Sequence, residues 1–129
     1  MKKRVFVFLL FFLAACDFRI EKFPEGSEEG FSNIPLEATF ASIQGNIFQS
    51  RCISCHSAGQ SAWRVPLDTR EEVLNSPREL VIPGNADESG LIIAVIRNDN
   101  KRMPPAKAGS ALSQQEIEMI KQWINEGAP

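Results

Sequence analysis

Residues 52–56 read CISCH, a pair of cysteines two residues apart with a histidine directly behind the second. This histidine is the only one in the 129 residues of the chain. A cysteine pair of this spacing is found in structural disulfides, in redox-active dithiols and in zinc sites. A thioredoxin-like dithiol needs a βαβ setting, and a structural zinc ion needs four ligands where these residues supply three. The motif is therefore compatible with only a few kinds of site, and each of them requires a particular fold around it.

The pattern C-x-x-C-H is also the signature of covalent haem c attachment. A helix that ends at Cys52 brings both thiols to one edge of the porphyrin, where each adds to a vinyl group. The imidazole of His56 then reaches the iron from one side. We therefore predict that Cys52 and Cys55 form thioethers to one haem c per chain and that His56 is the proximal iron ligand. A plain disulfide between the two cysteines stays open as an alternative.

The second axial ligand cannot be a histidine, so the thioethers of Met103 and Met119 are the candidates once Met1 is removed with the leader. Met119 lies in a periodic helical segment, where methionine is usually core filler. Met103 precedes two prolines in a polar loop. Because proline disfavours helix in the residue before it, we predict that the backbone of Met103 is extended and that this conformation holds the side-chain sulfur in a fixed position. Met103 is the predicted distal ligand, and His/Met ligation suits electron transfer.

Hydrophobic periodicity predicts an all-α domain of about four short helices. Residues 38–51 place apolar side chains on one helical face, and residues 113–127 begin with a capping-box pattern and end at a glycine. Two short segments, 68–75 and 87–97, each start with capping residues. No stretch alternates with period two for long enough to predict a strand.

The N-terminus has the pattern of a signal peptide: residues 1–15 hold three basic residues and then the apolar run Val5–Ala15, which is too short to span a bilayer. Leu13-Ala14-Ala15-Cys16 resembles the bacterial lipoprotein box. The resemblance implies cleavage before Cys16, lipidation of its thiol and an extracytoplasmic, membrane-anchored protein. Since Asp17 follows the cysteine, we expect the periplasmic face of the inner membrane.

Residues 16–37 are rich in acids, glycine, proline and serine and predict a flexible acidic tether, which leaves residues 38–129 as the folded domain. A net charge of −2 argues against a nucleic-acid partner. Within the domain, four basic residues surround Met103 and predict a positive ring that steers an acidic redox partner. These residues are Arg97, Lys101, Arg102 and Lys107.

Over about residues 38–128, the sequence resembles the single-haem cytochrome c family and, within it, the planctomycete-type cytochrome c domains. The resemblance rests on CISCH, Leu67-Asp68, Val81-Ile82-Pro83-Gly84 with Ser89 and Leu91, Arg102-Met103-Pro104-Pro105 and the closing LSQQEIEMIKQWINEGA. It implies a fold in which the helix entering the motif crosses the C-terminal helix, with haem in a cleft and His56 and Met103 on opposite faces. The chain departs from the family pattern at Ser57 and in residues 61–66.

These patterns favour a monomeric one-electron carrier between extracytoplasmic redox partners, with a backbone carbonyl near Val65 or Pro66 as the acceptor for the second nitrogen of His56. A haem-based gas-binding or sensing module with a labile Met103 is the alternative. A structural lipoprotein that holds only a disulfide is a third. An enzyme is least supported, since the sequence has no second histidine and no second C-x-x-C-H.

Overall fold

The computed structural model describes residues 35–129, and within this range the regular elements are helices joined by turns and irregular segments, without a β-strand. The predicted leader, Cys16 and the predicted tether up to residue 34 lie outside the described residues. No helix in the described part of the chain is long and apolar enough to cross a membrane. The all-α prediction is confirmed. The four helices are α1 over residues 40–51, α2 over Arg70–Leu74, α3 over Gly90–Val95 and α4 over Gln114–Asn125.

Helix α1 runs without interruption but changes its pitch on the way. An α-helical turn, Phe40–Ile43, passes into a π-helical segment, Gln44–Phe48, and returns to α-helix at Gln49–Arg51. Thr39 caps the start, since its side-chain oxygen accepts from the backbone N–H of Ser42 at 3.2 Å. The predicted apolar face is buried. The π-helical segment, which the periodicity did not predict, ends four residues before the first cysteine of the motif.

Residues 35–37 pack against the start of α1. The backbone N–H of Glu37 donates to the hydroxyl of Ser42 at 2.8 Å, and that hydroxyl donates to the carbonyl of Pro35 at 2.8 Å. Leu36 packs against the hydrophobic core. Ser42 itself is buried, so its bonds are shielded from water. The packed part of the described structure therefore includes residues 35–37.

Helix α4 has the ends that its sequence predicts. Ser113 and Glu116 form a complete capping box. At the other end, Gly127 has φ +94°, its N–H donates to Ile124, and the N–H of Ala128 donates to Trp123. These two bonds are those of a Schellman motif, which needs a residue with positive φ at this place.

Helices α1 and α4 pack against each other in opposite directions. Near the start of α1 the ring of Phe40 lies 5.7 Å from that of Trp123, at the end of α4. At the end of α1 the Nε of Arg51 lies 3.6 Å from Oε1 of Glu116, at the start of α4. The contact between the two helices that the family resemblance implied is therefore present, with an antiparallel orientation.

Side-chain hydrogen bonds fix the start of the short helix α2 and the segment that joins it to α3. Thr69 and Glu72 form a second capping box at α2. The hydroxyl of Ser89, fully buried before α3, accepts from the N–H of Ile82 and donates to the carbonyl of Asn85, both at 2.8 Å. These bonds hold the segment between α2 and α3 in place, and α3 packs on α4.

Candidate functional site

The CISCH motif forms a helical turn directly after α1. The N–H of Cys55 donates to the carbonyl of Cys52 at 3.0 Å, and the N–H of His56 donates to the same carbonyl at 2.8 Å. In a helical turn, residues at positions i, i+3 and i+4 share one face. The spacing of the motif therefore directs Cys52, Cys55 and His56 to the same side of the chain.

The imidazole of His56 is held by a backbone carbonyl. Its Nδ1 lies 2.9 Å from the carbonyl oxygen of Val65. Since a carbonyl only accepts, Nδ1 carries the proton and donates, and Nε2 keeps a free lone pair. The prediction of an acceptor at Val65 or Pro66 is confirmed. The bond fixes the tautomer and the ring orientation that a metal-binding Nε2 requires.

Met103 is attached to α3 through its backbone. Its N–H donates to the carbonyl of Ala94 at 3.0 Å. The sequence predicts an extended Met103, but the structure has a bend at Met103 and Pro104, and the peptide bond between them is cis. The side chain is 37% exposed although Pro104 beside it is buried.

A cleft of about 570 Å³ brings the four predicted haem-binding residues together. Cys52, Cys55, His56 and Met103 all line it. Met119 does not, and lies instead with polar residues on the outer surface of α4. Of the two methionines that the sequence offered, the structure therefore places only Met103 with His56.

The remaining wall of the cleft is largely apolar and comes from four parts of the chain. The volume is in the range of pockets that enclose small molecules and cofactors, from about 300 to 1,000 Å³. Two thiols, an imidazole nitrogen and a thioether in an apolar cleft are the groups that haem c requires, so the residues present fit that cofactor. The apolar lining includes Ala62, Val65, Leu67, Leu80, Leu91, Ala94, Val95, Pro104 and Pro105.

The two thiols are free and do not form a disulfide. Burial raises the pKa of the Cys52 thiol to about 11, an effect that the charge of Arg51 only partly opposes. Redox-active dithiols depend on a lowered thiol pKa, so Cys52 lacks the property of an attacking cysteine. Between residues 35 and 129, no three His, Cys, Asp or Glu side chains are grouped so that they could hold a metal ion. The redox-dithiol and zinc alternatives thus have no support in the geometry.

The basic residues around Met103 differ in whether their charge is exposed or already paired within the domain. Arg97 forms a two-bond ion pair with Asp99, which neutralises it. Arg102 is half-buried, and its Nη2 lies 3.4 Å from the carbonyl of Gly109. Lys101 and Lys107 are exposed, and Lys107 lines the cleft. The positive charge at the cleft is therefore smaller than four basic residues in the sequence suggest.

Sequence reasoning missed two features of the site. The first is the hydrogen bond from Met103 to Ala94, which no sequence pattern signals. The second is a contact beside the motif, where the hydroxyl of Ser57 donates to Oδ1 of Asp68 at 2.7 Å. The sequence shows a serine directly after the motif and an aspartate directly after Leu67. It does not show that the two are close, because that depends on the path of the loop between them.

The described geometry agrees with a comparison of the sequence with known families. Residues 52–107 match the family model described as Planctomycete cytochrome C. Searches of curated proteins and of solved structures returned no match. The matched region begins at Cys52 and includes Met103, so it contains all four residues that meet in the cleft. Residues 52–107 therefore correspond to a cytochrome c domain of the planctomycete type, a family that implies haem c and suggests electron transfer.

Proposed function

We propose that this protein is a membrane-anchored, single-haem c-type cytochrome that carries one electron at a time between extracytoplasmic redox partners. The observation that supports it most is the meeting of Cys52, Cys55, His56 and Met103 in one apolar cleft. Two thiols three positions apart, an imidazole with a free Nε2 and a thioether are otherwise hard to explain at one place in a domain of this size.

Each residue has a separate role. Cys52 and Cys55 would hold the haem through thioethers, and His56 would bind the iron through Nε2 while its Nδ1 donates to Val65. Met103 would supply its thioether sulfur as the other iron ligand. When bound, haem supplies an iron that gains and loses a single electron. The apolar wall would shield the haem from water, and ligation by both His56 and Met103 would leave no free position for a substrate, which suits a carrier rather than an enzyme.

The partners and the location belong to the same proposal. Cys16 carries the lipid that holds the protein at the periplasmic face of the inner membrane. The domain works as a monomer and exchanges electrons with a donor and an acceptor protein. The exposed Lys101 and Lys107 favour partners with an acidic surface, since opposite charges speed the encounter.

The test is to produce the full chain in a host that attaches haem c. Haem staining after denaturing electrophoresis detects thioether-linked haem, because other haem is lost on denaturation. We expect a stained band, one iron per chain and a reversible one-electron reduction with the spectrum of His/Met ligation. An unstained band would return the motif to the disulfide alternative and contradict the proposal.

A haem-based gas sensor is the second candidate, and one observation favours it. Met103 lies outside the four helices and its side chain is 37% exposed, so its sulfur is held less firmly than the imidazole of His56. Carbon monoxide distinguishes the two. A reduced protein that binds it readily would favour the sensor, and a reduced protein that does not would favour the carrier.

A further inference from the structure

The loop that follows the haem motif is closed by two neighbouring hydrogen bonds. The N–H of Leu67 donates to the carbonyl of His56 at 2.9 Å. The next residue after each of these is also bonded: the hydroxyl of Ser57 donates to Oδ1 of Asp68 at 2.7 Å. The backbone pair 56/67 and the side-chain pair 57/68 together close a loop that begins and ends beside the proximal histidine. We call the Ser57–Asp68 bond the loop clasp.

The loop clasp is also connected to α1. The carbonyl of Asp68 accepts from Nε2 of Gln44 at 3.0 Å. Gln44 is the first residue of the π-helical segment of α1, and the same helix leads into Cys52. Asp68 therefore accepts two hydrogen bonds. Its side chain accepts from the start of the loop, and its backbone carbonyl accepts from the helix before the motif.

The position of Val65 follows from this closure. Val65 lies two residues before Leu67, and its carbonyl is the acceptor for Nδ1 of His56. Its own N–H donates to Ala62, whose N–H donates to Cys55, so the last part of the loop is tied to the motif as well. A loop that loosens at Ser57 and Asp68 shifts the carbonyl of Val65 and lengthens its bond to the imidazole.

We propose that Ser57 and Asp68 are positioning residues that set the reduction potential of the haem through the His56–Val65 hydrogen bond. A strong bond from Nδ1 makes Nε2 a better electron donor, because outer hydrogen bonds raise the basicity of a ligating histidine. A better donor stabilises the oxidised, more positively charged state. The loop clasp therefore holds the potential lower than an open loop would. This inference rests on the proposed function.

The test measures the midpoint potential and the backbone hydrogen exchange of the full-length, haem-bearing chain. In Ser57→Ala we expect a positive shift of the potential, equivalent to a change of up to about tenfold in the ratio of oxidised to reduced protein. We also expect faster exchange at the amides of Val65 and Leu67. Ser57→Thr keeps the hydroxyl and should restore both values.

Two further variants separate the loop clasp from general damage. Gln60→Ala truncates an exposed side chain of the same loop that does not line the cleft and for which no side-chain hydrogen bond is seen, and it should leave potential and exchange unchanged. Asp68→Ala removes a carboxylate as well as the loop clasp, so the two single shifts need not be equal, but adding Ser57→Ala to Asp68→Ala should shift the potential no further, because the loop clasp is already lost.

The outcomes distinguish the inference from the function on which it rests. A haem-bearing wild type whose potential is unchanged in Ser57→Ala would overturn the role of the loop clasp and leave the carrier intact. Additive shifts in the double variant would also overturn it. A wild type without covalent haem would contradict the proposed function and this inference together.

Discussion

The backbone N–H of Met103 donates a hydrogen bond to the carbonyl of Ala94, so the loop that carries the methionine is attached to the last turn of α3. Ala94 and Val95 line the cleft from the same helix. The position of Met103 thus depends on α3, whose buried residues pack into the core. Met103 therefore lines the cleft from an irregular segment whose backbone is bonded to a core helix.

Replacing Met103 with alanine should remove the second axial ligand. We expect the loss of the long-wavelength absorption typical of sulfur bound to ferric haem, a lower reduction potential and binding of carbon monoxide, because methionine ligation raises the potential and closes the iron. Met119→Ala is the matched control, since Met119 does not line the cleft. Absorption spectra and a redox titration of both variants decide the matter, and an unchanged spectrum in Met103→Ala would rule out this ligand.

The two tryptophans should differ strongly in their effect on stability. Trp123 is fully buried against Phe40, and its indole N–H donates to the carbonyl of Pro129 at 3.1 Å. Trp123→Ala should lower the free energy of unfolding by about 3–5 kcal/mol. Trp63 is 57% exposed and contacts the guanidinium of Arg64, so Trp63→Ala should cost no more than about 1 kcal/mol. Denaturant unfolding of the two variants measures both values, and similar losses would contradict this assignment of the core.

The pair Arg97–Asp99 predicts a pH dependence of the loop before Met103. Hydrogen bonds from the Arg97 guanidinium lower the pKa of the Asp99 carboxyl from 3.8 to about 2. Because the folded pKa is depressed, the contribution of the pair is complete above pH 3.8 and is lost as the pH falls through about 2. An NMR titration of the carboxyl measures this.

In Arg97→Gln the pKa of Asp99 should move back towards 3.8. Lys121→Gln removes one positive charge from a different ion pair, with Asp87, and should leave the pKa of Asp99 where it is. An equal response to both substitutions would mean that net charge, and not the local bonds, sets this pKa.

Lipidation and haem attachment should depend on different cysteines. Cys16→Ala should abolish incorporation of labelled fatty acid and leave the haem-stained band in place. The double variant Cys52→Ala/Cys55→Ala should do the opposite, because both thioethers are lost while the lipoprotein box remains. Fatty-acid labelling and haem staining of the same gel compare the two variants. Labelling that persists in Cys16→Ala would disprove the predicted anchor.

The sequence was sufficient for the helices because their signals are local. Capping boxes at Thr69 and Ser113 and the glycine at residue 127 each lie within a few residues of the group that they satisfy. The hydrogen-bond acceptor for His56 could also be predicted, because Val65 lies only nine residues further along the chain. Such features follow from spacing alone.

The features that could not be predicted depend on contacts between distant parts of the chain. The bond from Gln44 to Asp68 joins residues 24 positions apart, and the bond from Ser57 to Asp68 depends on the path of the loop between them. The π-helical segment of α1 likewise has no periodic signature in a stretch of five residues. In each case tertiary packing, and not local preference, decides the outcome.

The first described residues and the cleft lie at opposite ends of helix α1, which packs antiparallel to α4. Pro35 is bonded to Ser42 near the start of α1, whereas the cleft lies at its far end, about 15 Å along the helix axis from Ser42. Among the described residues, none before Ser50 lines the cleft. Pro35, the first described residue, therefore lies at the end of the domain remote from the cleft. If the proposed lipid anchor holds the domain at a surface through this end, the cleft would face away from that surface.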